Sequence, residues 1–152
     1  MLKNRKGFTL TELLVTIAVS GIFFAMIGSI IYSLISSYGN AERAAERNGE
    51  FKAAWAMIEA TAEELNASGA EASVTMDEVS VVIGNGETVL TYDRAATALT
   101  KGENRLHMKY IQGLEVSVLD GRVLIITLSD GAGGKESRAY NLFGGVTGGD
   151  RE

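Results

Sequence analysis

The sequence of 152 residues contains neither cysteine nor proline and has a single histidine. Without cysteine, a disulfide framework, a thiolate-bound zinc site and a cysteine nucleophile are all excluded. A single histidine also excludes the metal sites that are rich in imidazole ligands, and we therefore expect neither a metal nor a cofactor. The lack of proline removes the residue that most often breaks a long helix.

Charge is almost absent from one long run near the N-terminus. Between Phe8 and Ala41, a run of 34 residues, the only charged side chain is Glu12. A helix needs about 20 apolar residues to cross a bilayer core of about 30 Å, and residues 13–35 satisfy that length. The basic residues that precede the run are Lys3, Arg5 and Lys6. By the positive-inside rule they predict a cytoplasmic N-terminus and an extracytoplasmic C-terminal part.

Two ordinary explanations of this N-terminus fit less well. A secretory signal peptide usually has an apolar region of about 7 to 15 residues before a small-x-small cleavage site. The best such site, at residues 18–20, lies inside the apolar run and would leave a second apolar segment behind. A plain single-pass anchor leaves Glu12 unexplained, because a carboxylate in the hydrocarbon region costs about 2.5–3.5 kcal/mol. Glu12 is therefore predicted to have a function and a partner.

The residues around Glu12 form a motif, KGFTLTELLV at positions 6–15. It closely resembles the N-terminal signal of type IV pilins and of the pseudopilins of type II secretion and competence systems. In that family a membrane aspartyl peptidase cuts after the glycine, and the new N-terminal residue is N-methylated. The resemblance covers residues 1 to about 35. It implies a leader peptide of residues 1–7, cleavage between Gly7 and Phe8, and methylation of Phe8.

The residue types in this motif have physical reasons. Glycine before the cut lets an extended backbone approach a protease closely, because it has no side chain. Glu12 lies one helical turn from Phe8, so a carboxylate and the new α-ammonium group occur near the same end of each subunit. When helices bundle with an axial offset, Glu12 of one subunit can meet the Phe8 ammonium of the next. An unmatched charge is costly in a dry core, so Glu12 is predicted to set the assembly register.

The helix is expected to continue beyond the membrane, from a hydrophobic segment over residues 8–40 into an amphipathic segment over residues 41–68. The second segment is rich in alanine, glutamate and arginine, which are good helix formers. Its large apolar residues recur at a spacing of three or four and so share one face. This face is predicted to pack on a sheet through Phe51, Trp55, Ile58 and Leu65.

Residues 69–143 alternate with period two and contain frequent turn signals, which predicts an antiparallel sheet built from hairpins. The clearest turns are Asn85-Gly86 and Asp120-Gly121. Residues 144–152 are rich in glycine and are predicted to form a flexible tail. The expected fold class is α+β, with one long N-terminal helix packed on one antiparallel sheet, and the resemblance implies the same pilin-like fold.

Two further motifs resemble sites with a known chemistry. The sequence GAGGKE at 131–136 lacks the first glycine of a phosphate-binding loop and has glutamate where that loop needs serine or threonine. It is therefore predicted to be a flexible loop between two strands. Asn66-Ala67-Ser68 matches a glycosylation sequon, but a match this short occurs easily by chance. No triad or calcium loop is apparent.

These features predict a structural subunit of a type IV pilus-like filament and not an enzyme, with a minor pilin or pseudopilin favoured over a major pilin. The resemblance implies other pilin subunits, the prepilin peptidase and methylase, an inner-membrane platform protein and an assembly ATPase as partners. Nucleic-acid binding is unsupported, because residues after Ala41 carry 11 basic against 18 acidic side chains. The alternatives are a filament-tip subunit that binds a surface, DNA or a secreted substrate, and a membrane-anchored binding protein outside any filament.

Overall fold

The computed structural model describes residues 9–148 and divides the chain into two units, Met1–Ala44 and Ala45–Glu152. One helix, α1, spans Leu10–Ser68 and contributes to both units. In the first unit, all side chains of residues 10–38 are exposed. This part of α1 is long and apolar enough to cross a membrane, with a mean hydropathy of 2.4. Its apolar surface therefore needs lipid or another protein against it.

The second unit contains residues 45–68 of α1 and nine strands. The strands are β1 (Ala72–Met76), β2 (Ser80–Gly84), β3 (Val89–Asp93), β4 (Ala98–Lys101), β5 (Asn104–His107), β6 (Ile111–Leu119), β7 (Val123–Asp130), β8 (Lys135–Asn141) and β9 (Val146–Gly148). Six of them form one sheet in the order β5-β4-β3-β2-β1-β9. The other three form a second sheet in the order β6-β7-β8. The α+β class is confirmed.

The prediction of a single antiparallel sheet is wrong. There are two sheets, because β5 ends at His107 and the next strand, β6, begins at Ile111 in the other sheet. The first strand of the unit, β1, has little sequence signal of its own. It is short, and its alternation of small and apolar residues from Ala72 to Met76 is weak.

The predicted flexible tail is also wrong where the structure describes it, because β9 pairs with β1 in parallel. The glycines here allow close approach of two backbones. A Cβ on Gly144 would lie 2.2 Å from the Ala70 carbonyl oxygen, and one on Gly148 would lie 2.0 Å from that of Val74. Val146 is buried, and its N–H group donates to the Gly121 carbonyl at 2.8 Å. Glycine content alone could not distinguish close packing from flexibility.

Both predicted hairpin turns are present. Asp120 and Gly121 have φ angles of 54° and 64°, the left-handed conformation that a tight hairpin turn requires at its two central positions. The Arg122 N–H group closes this turn on the Leu119 carbonyl. In the other hairpin the Asn85 side chain accepts the N–H group of Thr88 at 2.9 Å, and Gly86 takes the positive φ angle.

The core of the second unit lies between α1 and the inner faces of both sheets. The four residues predicted to face the sheet, Phe51, Trp55, Ile58 and Leu65, are each at most 4% exposed. They pack in one cluster with Ile83 and other apolar residues of the strands. The Trp55 indole N–H group donates to Glu136 of β8 at 3.0 Å, so the one polar atom of this ring is satisfied.

The C-terminal end of α1 is closed by Gly69, which has a φ angle of 63°. Just before it, the Asn66 side-chain amide donates to the Asn141 carbonyl at 3.0 Å and accepts the Phe143 N–H group at 2.9 Å. The amide of the sequon residue thus joins the helix to the end of β8. This engagement disfavours its modification.

The close approach at Gly144 yields a stability prediction. Gly144→Ala should lower the free energy of unfolding of the second unit by about 1–3 kcal/mol, because the added methyl group overlaps the Ala70 backbone. Gly49→Ala is the matched control: Gly49 is helical with nothing within 4 Å of its Cβ position, so alanine there should stabilise by about 0.8–1 kcal/mol. Urea unfolding in detergent, followed by the fluorescence of the single tryptophan, measures both. Equal effects of the two substitutions would contradict the prediction.

Candidate processing and assembly site

The first turn of α1 is closed by a reciprocal pair of side chains, Thr9 and Glu12. The Glu12 N–H group donates to the Thr9 hydroxyl oxygen at 3.3 Å. In return, the Glu12 carboxylate accepts the Thr9 backbone N–H group at 3.0 Å and the Thr9 hydroxyl at 2.9 Å. This is a capping box, in which the residue before the helix and the third helical residue satisfy each other's N–H groups.

The assembly role predicted for Glu12 does not include this capping role or its partner Thr9, which the structure adds. The signal was present, because threonine three residues before glutamate at the start of an apolar run is the pattern of a capping box. Two more hydroxyl groups extend the polar surface. The Thr11 hydroxyl lies 3.2 Å from that of Thr9, and the Thr16 hydroxyl donates to the Glu12 carbonyl at 2.7 Å.

This pairing gives the Glu12 carboxylate two hydrogen-bond donors at the start of an apolar helix. A charged group in the hydrocarbon region is costly unless it has hydrogen-bond partners. Both bonds from Thr9 end on the Glu12 Oε2 atom. Within the described residues, this leaves Oε1 available to a donor from outside the chain.

The other predicted site residues, Gly7 and Phe8, lie outside the described residues. Cleavage between them and methylation of Phe8 therefore stay predictions. The described chain begins at Thr9, so the capping box is directly adjacent in sequence to the predicted cut.

Residues 2–28 match the family model described as the prokaryotic N-terminal methylation motif. The chain carries a prepilin-type signal. This signal includes the positions of Gly7, Phe8 and Glu12, and it supports a type IV pilin-like or pseudopilin subunit, which is a structural role.

The rest of the chain lies beyond the matched prepilin-type signal. No curated protein and no solved structure matches the chain significantly. The fold is nevertheless consistent with a pilin-like protein, since one long N-terminal apolar helix is followed by sheets that are mostly antiparallel. Together, the apolar helix and the signal support membrane anchoring.

The capping box can be tested separately from assembly. Thr9→Ala removes the hydroxyl acceptor, and loss of such a cap typically costs about 0.5–2 kcal/mol. We expect faster amide exchange at residues 10–13 of the full chain in detergent micelles, measured by NMR. Thr9→Ser is the matched control because it keeps the hydroxyl, and its exchange should stay near that of the unchanged chain. Unchanged exchange in Thr9→Ala would show that the cap does not hold the first turn.

Proposed function

We propose that this chain is a structural subunit of a type IV pilus-like filament, inserted as a prepilin, cleaved after Gly7, methylated at Phe8 and assembled through α1. The observation that carries the proposal is the methylation motif at residues 2–28, continued by an apolar helix that is exposed through residue 38. Before assembly the N-terminus lies in the cytoplasm and the second unit outside the membrane. The partners are other pilin-like subunits, the peptidase and methylase, and indirectly the platform protein and the assembly ATPase.

The exposed surface of α1 supports assembly through this helix. The exposed large apolar side chains run from Leu10 through Phe23 and Phe24 to Tyr38. Such a surface can be covered by lipid in the single subunit and by neighbouring helices in a filament. Packing between apolar helices relies on van der Waals contact and on matched polar groups. Glu12 supplies the one charged group for such a match within this stretch.

Glu12 has a defined part in this proposal. In the single chain its carboxylate is held by Thr9 through Oε2. On assembly, the α-ammonium of Phe8 in an adjacent subunit approaches the carboxylate in a dry environment. A matched pair is tolerated there and a displaced pair is not, so the contact selects one axial register. The cap by Thr9 keeps the carboxylate oriented until that partner arrives.

A minor pilin or pseudopilin is favoured over a major pilin. Many major pilins have a helix-breaking proline in the middle of the N-terminal helix, and this chain has none. The chain also lacks cysteine, so the second unit is held without a disulfide. The subunits that are recovered together with the chain would identify the filament type, whether it serves secretion, DNA uptake or movement.

Processing is tested by the mass of the chain isolated from cells that contain the peptidase. The expected product begins at Phe8 and carries one added methyl group. Gly7→Val should abolish cleavage, because the extended backbone at the cut can no longer approach the protease closely. Gly21→Ala, in an open position within the helix, is the control and should be cleaved normally. A full-length, unmethylated product of the unchanged chain would overturn the proposal.

The register contact is tested by separating the charge of Glu12 from its capping role. Glu12→Gln keeps a side-chain acceptor for the Thr9 N–H group but has no charge, whereas Glu12→Ala loses both. We expect both variants to reduce incorporation into filaments by at least about tenfold, since one charge of a buried pair is left unmatched. Methylation of Phe8 is scored separately by mass. Normal incorporation of Glu12→Gln would overturn the charge contact, and a defect confined to Glu12→Ala would show that assembly needs the cap.

The alternatives give different results in the same cells. A filament-tip subunit would bind its surface, DNA or secreted substrate and would still need cleavage at Gly7. A membrane-anchored binding protein outside any filament would keep its activity in the Gly7→Val variant. Loss of filament incorporation in this variant, with the protein still present in the membrane, supports a filament subunit of either kind over the membrane-anchored protein. Binding of a surface, DNA or a secreted substrate by the unchanged chain would favour the filament-tip subunit over the structural one.

A further inference from the structure

The helical turns that open the second unit, residues 45–50, have no buried side chain. Along the described part of α1, Phe51 is the first buried residue. Within these turns Asn48 and Gly49 are weak helix formers, and glycine costs about 0.8–1 kcal/mol relative to alanine. Apolar burial therefore does not hold residues 45–50 against the sheets.

Polar contacts attach these turns to the sheets, and Glu50 makes three of these contacts. Its carboxylate accepts three consecutive backbone N–H groups, from Lys109 at 2.8 Å, Tyr110 at 2.8 Å and Ile111 at 2.7 Å. Hydrogen bonds to a charged acceptor are roughly twice as strong as neutral ones. Glu50 thereby fixes the segment in which the chain passes from β5 of one sheet to β6 of the other.

Glu46, one helical turn earlier, contacts the same segment. Its carboxylate accepts the Tyr110 hydroxyl at 2.6 Å and the Lys109 ammonium at 3.3 Å. The Tyr110 side chain and Glu46 raise the pKa of Lys109, so this lysine keeps its charge. Two acidic residues of one helix face thus hold the β5–β6 connection.

Arg47 contacts a second connection, between β7 and β8. It forms an ion pair with Asp130, whose side chain is only 4% exposed. The same carboxylate accepts the N–H groups of Ala132 at 3.0 Å and Gly134 at 2.7 Å. The loop of residues 131–134, predicted to be flexible, is therefore tied to a buried carboxylate.

The glycine at position 134 makes room for the arginine. A Cβ atom there would lie 2.6 Å from the Arg47 Nη2 atom and 2.8 Å from the Asp130 Oδ2 atom. Arg47 also lies over the ring of Phe51, with 5.6 Å between the guanidinium carbon and the ring centroid. The glycine-rich sequence after Asp130 thus accommodates a side chain of α1 where a phosphate-binding loop would accommodate a phosphate.

We propose that Glu46, Arg47 and Glu50, with residues 109–111 and 130–134, form a polar clasp that sets whether residues 45–50 are docked or released. When the clasp opens, these turns detach while the helix from Phe51 onward stays packed in its apolar core. The clasp is a conformational device within the second unit. It does not depend on the proposed filament function, because all of its contacts lie within this unit.

Another ion pair in the unit shows why the clasp differs from an ordinary surface contact. Lys101 of β4 and Glu64 of α1 are 2.7 Å apart, so this pair also joins the helix to a sheet. Beside it, however, Leu65 is 2% exposed and Thr61 and Ala62 are buried. Burial of these side chains holds the helix there even when the charge pair is lost, so Glu64 provides a matched control.

Hydrogen–deuterium exchange of the full chain in detergent micelles tests the clasp. Glu50→Ala removes the acceptor of three N–H groups, and Gly134→Ala displaces the Arg47 guanidinium without removing a charge. In each variant, amides of residues 46–50 should exchange at least about tenfold faster, as expected for local opening, while those of residues 55–65 stay within about twofold. Glu64→Ala should leave residues 46–50 unchanged.

Three outcomes of these exchange measurements would overturn the proposed clasp. Unchanged exchange at residues 46–50 in Glu50→Ala and Gly134→Ala would overturn the proposal. So would equal acceleration at residues 55–65, which means that the whole unit has been destabilised. The fluorescence of Trp55, buried in the core, shows independently whether each variant stays folded. An effect of Glu64→Ala on residues 46–50 as large as that of Glu50→Ala would also overturn it.

Discussion

Among residues 9–148, no side chain covers the apolar surface of α1 in the first unit. From Leu10 to Tyr38 the large apolar side chains are exposed, and water cannot be their environment at this length and hydropathy. Lipid around the single subunit and helices of neighbouring subunits are the two environments that satisfy this constraint. The prepilin-type signal is physically consistent with both, since cleavage would remove three basic residues that hold the leader at the membrane surface.

The exposed apolar surface of α1 also determines what Glu12 requires. A carboxylate at the start of an apolar helix needs donors, and Thr9 supplies two of them from within the chain. Both of these donors bond to Oε2, and the other carboxylate oxygen, Oε1, faces no donor among the described residues. Closing the helix and the contact proposed with the Phe8 ammonium of an adjacent subunit therefore use different lone pairs of the same carboxylate.

The second unit holds together without disulfides by combining an apolar core with polar attachment at its edges. Trp55, Ile58 and Leu65 pack against both sheets, whereas the turns before Phe51 depend on charged side chains and on glycines that admit them. Much of this was readable in advance. The spacing of three and four predicted the buried helix face, and Asp120-Gly121 predicted its turn. The division into two sheets could not be predicted from the sequence. Between β5 and β6 the backbone N–H groups of Tyr110 and Ile111 bond to Glu50, which is distant in sequence.

The sequence by itself determined the features that are set by local chemistry: the membrane-length apolar run, the motif KGFTLTELLV and the continuation of α1 without proline. Periodicity and spacing express these features over a few residues, so no knowledge of the fold is needed. Only the tertiary structure decided the role of the glycines. Gly144 and Gly148 permit close pairing of β1 with β9, and Gly134 admits the Arg47 side chain. The physical reason is that a missing Cβ has the same sequence signature whether it provides flexibility or room, and only the position of a distant neighbour distinguishes them.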